Sequence, residues 1–256
     1  MRFRSGRVTL ALVLAGTGSL AAQANPGVVY RVDVHGTIEN GLAPYVTRAI
    51  HEANRIGAAA IYLDLDTPGG RVDAAERIAD ALRASKTPVY AFVNPRAYSA
   101  GALIALATRG IYMRPGAVLG AATPVDGQGT KAAEKYVSAM RGEFRALAEA
   151  QGLDPRIAEA MVDENLGVPG LVEPGQLVTL STSEALKVKY AKAEVEDESA
   201  LLAQVGLAGA EVKRVEINWA EIVVRFLTNP LVSPLLLSLG VLALLAEIKA
   251  GTHGLG

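Results

Sequence analysis

The sequence contains no cysteine and three histidines. The lack of cysteine excludes disulfide bonds, a thiolate nucleophile and any zinc or iron–sulfur site that needs thiolate ligands. Three histidines leave little for a His-rich metal centre, so we expect no metal and no other cofactor. Any catalysis must therefore come from serine, lysine, aspartate, glutamate or backbone groups.

The sequence also lacks an excess of charge of either sign. Lysine and arginine number 25 against 26 aspartates and glutamates, which gives a formal net charge of -1. Surfaces that bind nucleic acid usually carry a large basic excess, so nucleic acid is not an expected partner. Half of the residues are hydrophobic, which favours a folded chain over a disordered one.

The N-terminus has the pattern of a secretory signal peptide. Three arginines (Arg2, Arg4 and Arg7) precede an apolar run from Val8 to Gly16, and Ala22-Gln23-Ala24 supplies a small-x-small cleavage site. This pattern predicts a signal peptide over residues 1–24 and export of the chain from Asn25 onward. The alternative is an uncleaved N-terminal anchor, for which the apolar run is short.

A second apolar segment lies near the C-terminus. No charged residue occurs between Arg225 and Glu247, and 21 residues of helix span about 30 Å, enough to cross a membrane. The sequence therefore predicts a transmembrane segment over residues 226–248. The alternative is a helix buried against the globular domain. The Gly-rich end, residues 249–256, is interpreted as the start of a longer membrane domain.

The part between these segments, residues 25–225, is long enough for one large domain. Strand-like and helix-like patterns alternate in its first half, which predicts an α/β fold with a mainly parallel sheet. The predicted strands are Val28–Val34, Ala60–Leu65 and Pro88–Val93, and the helices fall at 42–56, 72–82 and 100–108.

The second half of this domain is predicted to be more helical. The predicted elements are a long helix Lys131–Gln151, a helix Pro155–Glu164 capped by Asp154, a strand Leu177–Leu180, a helix Ser181–Ala191 that begins near Thr182 or Ser183, and a solvated acidic loop Glu194–Glu198.

Two corners rich in small residues follow successive strands. In the first, Thr67-Pro68-Gly69-Gly70, paired glycines expose backbone N–H groups that suit an oxyanion or a phosphate. The alternative is an ordinary tight turn that opens a helix. In the second, Ser99 stands between a strand and a helix, although serine is also a common helix N-cap. This corner lacks the G-x-S-x-G pattern of α/β-hydrolases.

The two corners together indicate an acyl-transfer site. Ligands of parallel sheets bind beyond the carboxyl ends of the strands, where both corners lie. None of the three histidines (His35, His51 and His253) has an obvious companion acid, so a Ser-His-Asp triad is poorly supported. A Ser-Lys dyad with a lysine kept neutral by burial remains. Lys131 and Lys135 are candidates, although helical periodicity makes Lys135 a surface residue.

The ordered motifs resemble the NfeD-type membrane-bound serine proteases of the ClpP class. The resemblance rests on Thr67-Pro68-Gly69-Gly70, Tyr98-Ser99-Ala100-Gly101, Gly120-Ala121-Ala122-Thr123-Pro124-Val125, Lys135 with Arg145, Leu177-Val178-Thr179-Leu180, Glu184-Ala185-Leu186 and the apolar C-terminal segment.

This resemblance implies a ClpP/crotonase-like fold of repeated β-β-α turns and a homo-oligomer. It also implies endopeptidase activity on hydrophobic segments, with stomatin-like membrane proteins as partners. The roles that it implies are nucleophile for Ser99, general base for Lys135, oxyanion hole for Gly70 and Ala100, and supporting turn for Pro68, Gly69 and Gly101. Lys131 stays an alternative base.

Three function classes remain open. The first is a membrane-anchored Ser-Lys peptidase whose catalytic domain lies on the periplasmic side of the inner membrane. The second is a non-catalytic scaffold of the same fold that binds a stomatin-like partner. The third is a crotonase-like acyl-thioester enzyme, against which export argues because its substrates are cytoplasmic.

Overall fold

The computed structural model describes residues 27–229 and 231–250, so the predicted signal peptide lies outside the described residues. The strands are β1 (Val28–His35), β2 (Ala60–Thr67), β3 (Val89–Tyr98), β4 (Ile111–Met113), β5 (Val118–Gly120), β6 (Thr179–Ser181), β7 (Ala191–Glu194) and β8 (Glu211–Arg214). The helices are α1 (Leu42–Ile56), α2 (Val72–Arg83), α3 (Ala100–Leu106), α4 (Glu134–Ala150), α5 (Pro155–Val162), α6 (Thr182–Lys187), α7 (Glu198–Gln204), α8 (Trp219–Thr228) and α9 (Val232–Ala250).

Within the described part of the chain, these strands form one sheet in the order β6-β5-β3-β2-β1-β8. Off this path, β4 pairs with β3, and β7 pairs with β4. The central strands β1, β2 and β3 are parallel to one another, as the alternation of strands and helices predicts. β3 runs further than expected, because its first part (Ala91–Val93) pairs with β4 and its last part (Arg96–Tyr98) with β5.

Alternate residues of the central strands face two different cores. Val32, Leu63 and Ala91 belong to the larger core, against which the helices of the first half pack. Val29 and Tyr62 face the opposite side, where Leu201 of α7 covers the sheet. Both faces of the sheet are therefore buried, which is typical of a parallel α/β sheet.

The long helix of the second half begins at Glu134 and not at Lys131. The preceding residues form a tight turn instead, in which the Asp126 carboxylate accepts hydrogen bonds from the N–H groups of Gln128 and Thr130, at 2.9 and 3.0 Å. A side chain that binds its own backbone in this way competes with helix formation. The prediction of a continuous helix from Lys131 was therefore wrong at its start.

The predicted helix Ser181–Ala191 is shorter in the structure. Ser181 is its N-cap and forms a capping box with Glu184, whereas the helix ends at Lys187 and Lys189 has φ 64°. Ala191 opens β7. The acidic stretch predicted as a loop is not wholly solvated either, because Glu198 begins α7 and accepts a hydrogen bond from the buried Tyr62 hydroxyl.

Two helices follow β8. Arg225, where the sequence placed the end of the domain, lies inside α8. The next helix is α9, in which Val232–Lys249 has a mean hydropathy of 1.8 and none of its residues buried. Among the described residues, α9 alone is both long enough and apolar enough to cross a membrane.

Candidate active site

Ser99 occupies the junction between β3 and α3 in a rare backbone conformation, with φ 52° and ψ −119°. Its N–H donates to the Gly120 carbonyl at 2.9 Å, and its own carbonyl accepts from the Ala102 N–H at 2.9 Å. These bonds hold the residue in the strained geometry. A serine on such a strand-to-helix turn presents its hydroxyl outward, as in nucleophile elbows.

The Ser99 side chain does not cap α3, since no side-chain hydrogen bond exists at this N-cap. Within the described residues its hydroxyl has no hydrogen-bond partner at all. The alternative interpretation of Ser99 as an ordinary helix N-cap is therefore not supported. A half-buried hydroxyl without a structural partner is available for chemistry.

The glycine corner after β2 packs directly against this serine. A Cβ atom on Gly69 would lie 2.6 Å from the Ser99 Cβ, and Gly69 has φ 101°. Gly101 is as tightly enclosed, because a Cβ there would lie 2.5 Å from the Thr67 Cγ2. Pro68 is exposed at the turn. The structure thus brings together the two corners that the sequence singled out.

Gly70 is held by a segment that sequence reasoning missed. Ile38, after β1, pairs with Gly70: its N–H donates to the Gly69 carbonyl at 2.9 Å, and its carbonyl accepts from the Arg71 N–H at 2.8 Å. No local signal marks Ile38, because the contact joins distant parts of the chain. Among the described residues, neither the Gly70 nor the Ala100 N–H donates to a protein acceptor.

A small cavity adjoins Ser99. It holds about 10 Å³, room for about one water molecule, and its walls come from α2, α3, α4 and the loop after β5. The lining residues besides Ser99 are Val72, Ala100, Leu103, Ala122, Pro124, Met140 and Phe144. The walls are apolar apart from the serine, so the site favours an apolar group beside the hydroxyl.

Lys135 is not brought to Ser99 in this structure. It is the second residue of α4, is exposed, and does not line the cavity beside the serine. Its ammonium lies 4.8 Å from the centre of the Tyr136 ring, a cation–π contact at the surface. The periodicity that makes Lys135 a surface residue agrees with this position.

Lys131 forms an ion pair with Glu164. Its Nζ donates to the Glu164 Oε1 at 3.0 Å, and this hydrogen bond raises the pKa of Lys131. A lysine with a raised pKa holds its proton more firmly, which is unfavourable for a general base. Its pairing with Glu164 argues against the alternative base.

One histidine has a companion acid that sequence reasoning did not find. His35 Nε2 lies 3.6 Å from Asp64 Oδ2, because β1 and β2 are parallel neighbours. Burial raises the pKa of Asp64, although the charges of Arg31 and His35 oppose this. The pair does not line the cavity at Ser99, so it does not complete a triad there.

Asp64 and its neighbour Asp33 belong to a network of ion pairs. The ligand atoms of Asp33, His35 and Asp64 lie within 4.8 Å of one another, but Arg31 binds both aspartates at 2.8 and 2.5 Å. Arg214 binds Asp33 as well, at 2.7 Å from Nε. The arginines already neutralise these carboxylates, which is unfavourable for a metal ion.

The family model of the NfeD1b N-terminal domain matches residues 28–215. The chain belongs to the NfeD1b family. It is 37% identical over 254 residues to membrane protein NfeD1b of Bacillus subtilis, and 29% identical over 233 residues to membrane-bound protease PH1510 of Pyrococcus horikoshii. These matches cover 99% and 85% of this chain, and 58% and 52% of the two relatives.

Solved structures similar to this NfeD1b-family chain include the 1510-N stomatin-specific membrane protease of P. horikoshii. A serine-to-alanine variant of it has a TM-score of 0.65 at 27% identity and covers 75% of this chain and 99% of its own. A lysine-to-alanine variant with a bound substrate peptide has a TM-score of 0.69 at 26% identity, with 79% and 98% covered.

ClpP1 of Listeria monocytogenes shares the fold alone, with a TM-score of 0.53 at 22% identity over 67% of this chain and 94% of its own. Together these matches confirm the predicted family and the ClpP-like α/β fold. The P. horikoshii relatives are named as proteases, and this NfeD1b-family chain spans a little over half the length of the two curated relatives.

Proposed function

We propose that this chain is a membrane-anchored serine endopeptidase. The observation that carries the proposal is Ser99, whose hydroxyl stands without a structural partner on a strained turn packed against the Gly69-Gly70 corner. In the proposed reaction Ser99 Oγ attacks a peptide carbonyl. The N–H groups of Gly70 and Ala100 stabilise the oxyanion.

Lys135 is the proposed general base. Because its ammonium lies over the Tyr136 ring in this structure, the side chain must turn toward Ser99 when substrate binds. A lysine takes the serine proton only when it is neutral, and burial beneath a bound peptide favours the neutral form. The lysine-to-alanine variant of the P. horikoshii protease supports a role for a lysine in this fold.

The proposed substrates are hydrophobic segments of stomatin-like membrane proteins. The apolar walls beside Ser99 suit a small apolar side chain next to the cleaved bond, and the P. horikoshii relative is specific for a stomatin homologue. We further propose that α9 anchors the chain in the inner membrane with residues 25–225 on the periplasmic side, and that the domain forms a homo-oligomer.

Labelling with a fluorophosphonate probe tests the nucleophile. We expect the full chain to be labelled and the Ser99→Ala variant to lose labelling, with cleavage of a hydrophobic peptide lost in parallel. Lys135→Arg should lose cleavage as well, because a guanidinium cannot be deprotonated in this pH range. Lys131→Arg, the matched control, should retain both activities.

A second candidate is favoured by the exposed position of Lys135. In this alternative the domain is a non-catalytic scaffold that holds a stomatin-like partner. Binding of the partner by a chain that is neither labelled nor able to cleave it would support the scaffold and contradict the peptidase.

A further inference from the structure

α8 is attached to the sheet domain by its polar face. Glu221 binds the Arg48 guanidinium at 2.7 and 2.8 Å. Arg225 Nε donates to the buried Glu39 at 2.7 Å, and the Thr228 hydroxyl donates to the same carboxylate at 2.8 Å. Positions 221, 225 and 228 recur at helical spacing, so they define one face of α8.

The opposite face of α8 is apolar and exposed. Its large apolar side chains, Trp219, Val223, Phe226 and Leu227, have relative exposures between 47 and 79%, and Ile222 and Val224 on the flanks of this face are 57 and 42% exposed. An amphipathic helix of a water-soluble domain has the reverse arrangement, with its apolar face on the core. The inverted arrangement indicates that this face contacts an apolar medium outside the domain.

α9 begins four residues after the end of α8. The Asn229 carboxamide oxygen accepts from the Leu231 N–H at 2.9 Å, and the Asn229 carbonyl accepts from the N–H groups of Val232 and Ser233, at 3.0 and 2.9 Å. Asn229, the C-cap of α8, is thus hydrogen-bonded to the first residues of α9. The end of α8 therefore lies beside the start of α9.

We propose that the apolar face of α8 lies in the headgroup–acyl boundary of the bilayer that α9 crosses. The inference rests on the proposed membrane anchoring by α9 and does not depend on the chemistry of Ser99. Helices with one apolar face, tryptophan included, bind in this boundary region. Bilayer contact is favoured over a second copy, because a stable dimer buries about 20–30 residues on each side, whereas α8 has 10.

The proposal places the candidate active site near the membrane surface. Glu39, the carboxylate that holds α8, directly follows Ile38, whose backbone pairs with Gly70. A bilayer at α8 therefore lies one short segment from the glycine corner at Ser99. Substrate segments that emerge from the membrane would reach the site without leaving the surface.

The fluorescence of Trp219 tests the proposal, because the chain has one tryptophan. The full chain is reconstituted into phosphatidylcholine vesicles and the vesicles are floated on a density gradient. In the floated fraction we expect Trp219 to emit at shorter wavelength and to lose most of its intensity when the vesicles contain brominated phosphatidylcholine. Aqueous acrylamide should quench Trp219 severalfold less than it quenches a water-exposed tryptophan. The reference for a water-exposed tryptophan is the double variant Trp219→Phe, Ile56→Trp.

Two variants make the test specific to the α8 face. Val223→Asp places a charge on the exposed apolar face and should restore acrylamide quenching severalfold. Ile56→Asp changes a similarly exposed apolar residue of α1 and should leave the quenching of Trp219 unchanged.

The outcomes separate this inference from the anchoring on which it rests. If the chain does not float with the vesicles, α9 is not an anchor. If it floats but Trp219 is quenched by acrylamide as in the reference, the inference is wrong. Protection from acrylamide without quenching by the brominated lipid would assign the face to a second copy and overturn it as well.

Discussion

At the scale of single residues, the candidate site depends on a serine in a conformation that glycine usually takes. A backbone conformation such as that of Ser99, with φ 52°, costs on the order of 1–3 kcal/mol and persists only where the surrounding structure holds it in place. The Gly120 carbonyl fixes the N–H of Ser99, and Gly69 allows the neighbouring backbone to approach its Cβ. Any side chain at position 69 should therefore displace the proposed nucleophile.

The Gly69→Ala variant tests this dependence. Its new Cβ would lie 2.6 Å from the Ser99 Cβ, so we expect a loss of about 1–3 kcal/mol in the free energy of unfolding from overpacking, and loss of fluorophosphonate labelling. Urea denaturation and the labelling assay measure the two effects.

Gly116→Ala is the matched control. Gly116 also has a positive φ, 75°, but a Cβ atom added there would meet no other atom within 4 Å. This variant should lose about 1 kcal/mol from backbone strain and keep full labelling. Equal labelling of the Gly69→Ala and Gly116→Ala variants would contradict the proposed role of the glycine corner.

The order of strands and small-residue corners along the chain made part of this site predictable. Ser99 and the Gly69-Gly70 corner follow successive parallel strands, so the sequence alone predicts that they meet. The position of Lys135 was not predictable in the same way, because a side chain on the first turn of a helix can point toward the site or toward solvent. The sequence supports Lys135 as the base by resemblance, whereas the structure places it at the surface.

At the scale of secondary structure elements, α4 forms one wall of the site and is joined to α5. Met140 and Phe144 of α4 line the cavity, and Asp163, at the end of α5, binds Arg141 of α4. Asp163 also accepts hydrogen bonds from the N–H and the carboxamide of Asn165, at 3.1 and 2.9 Å. One nearly buried carboxylate thus joins the two helices.

The charge of Asp163 predicts how this wall responds to acid. Burial opposes ionisation, but the hydrogen bonds from Asn165 and the charge of Arg141 hold the pKa of Asp163 below its usual 3.8. The stabilisation is therefore present above pH 3.8 and is lost as the pH falls through the lower pKa of the folded state. Asp163→Asn should destabilise the protein by about 1–3 kcal/mol at pH 7.

Urea denaturation at several pH values checks this prediction. The difference in the free energy of unfolding between the parent and Asp163→Asn should shrink as the pH falls below about 4. Glu149→Gln, which changes an exposed carboxylate of α4, should show little difference at any pH. A difference for Asp163→Asn that stays constant down to about pH 2 would show that the charge is not the cause.

The same scale shows where sequence patterns fail. Long amphipathic helices such as α1 and α2 lie where periodicity predicts them, because one apolar stripe over several turns is a strong signal. β4 and β5 have three residues each, too few for a periodic pattern, and they form because β3 offers each of them a partner. The sequence did not predict α8 as a separate helix, because its apolar residues continue directly into the apolar segment that forms α9.

At the scale of the whole molecule, α8 belongs to the sheet domain although its outer face is apolar. Its ion pairs with Arg48 and Glu39 fasten it beside the start of α1, whereas α9 has no buried residues in its apolar span. The structural boundary of the domain therefore falls at Asn229, between the two helices. A domain cut before α8 should lose stability that a domain cut after it keeps.

Two truncated chains, residues 27–229 and residues 27–217, test this boundary. Both lack α9 and both keep β8, but the shorter one leaves Arg48 and Glu39 without their partners on α8. Since hydrogen bonds between charged groups contribute about 1.5–3 kcal/mol each, we expect the shorter chain to be less stable by about 2 kcal/mol or more.

Thermal unfolding in a mild detergent, which covers the apolar face of α8, measures this difference. The control is the longer chain with both Glu221→Gln and Arg225→Gln, which keeps α8 but removes its charges that face the domain. This variant should unfold near the temperature of the shorter chain. If both truncated chains unfold at the same temperature, α8 contributes nothing to the domain, and the helix is held by the membrane alone.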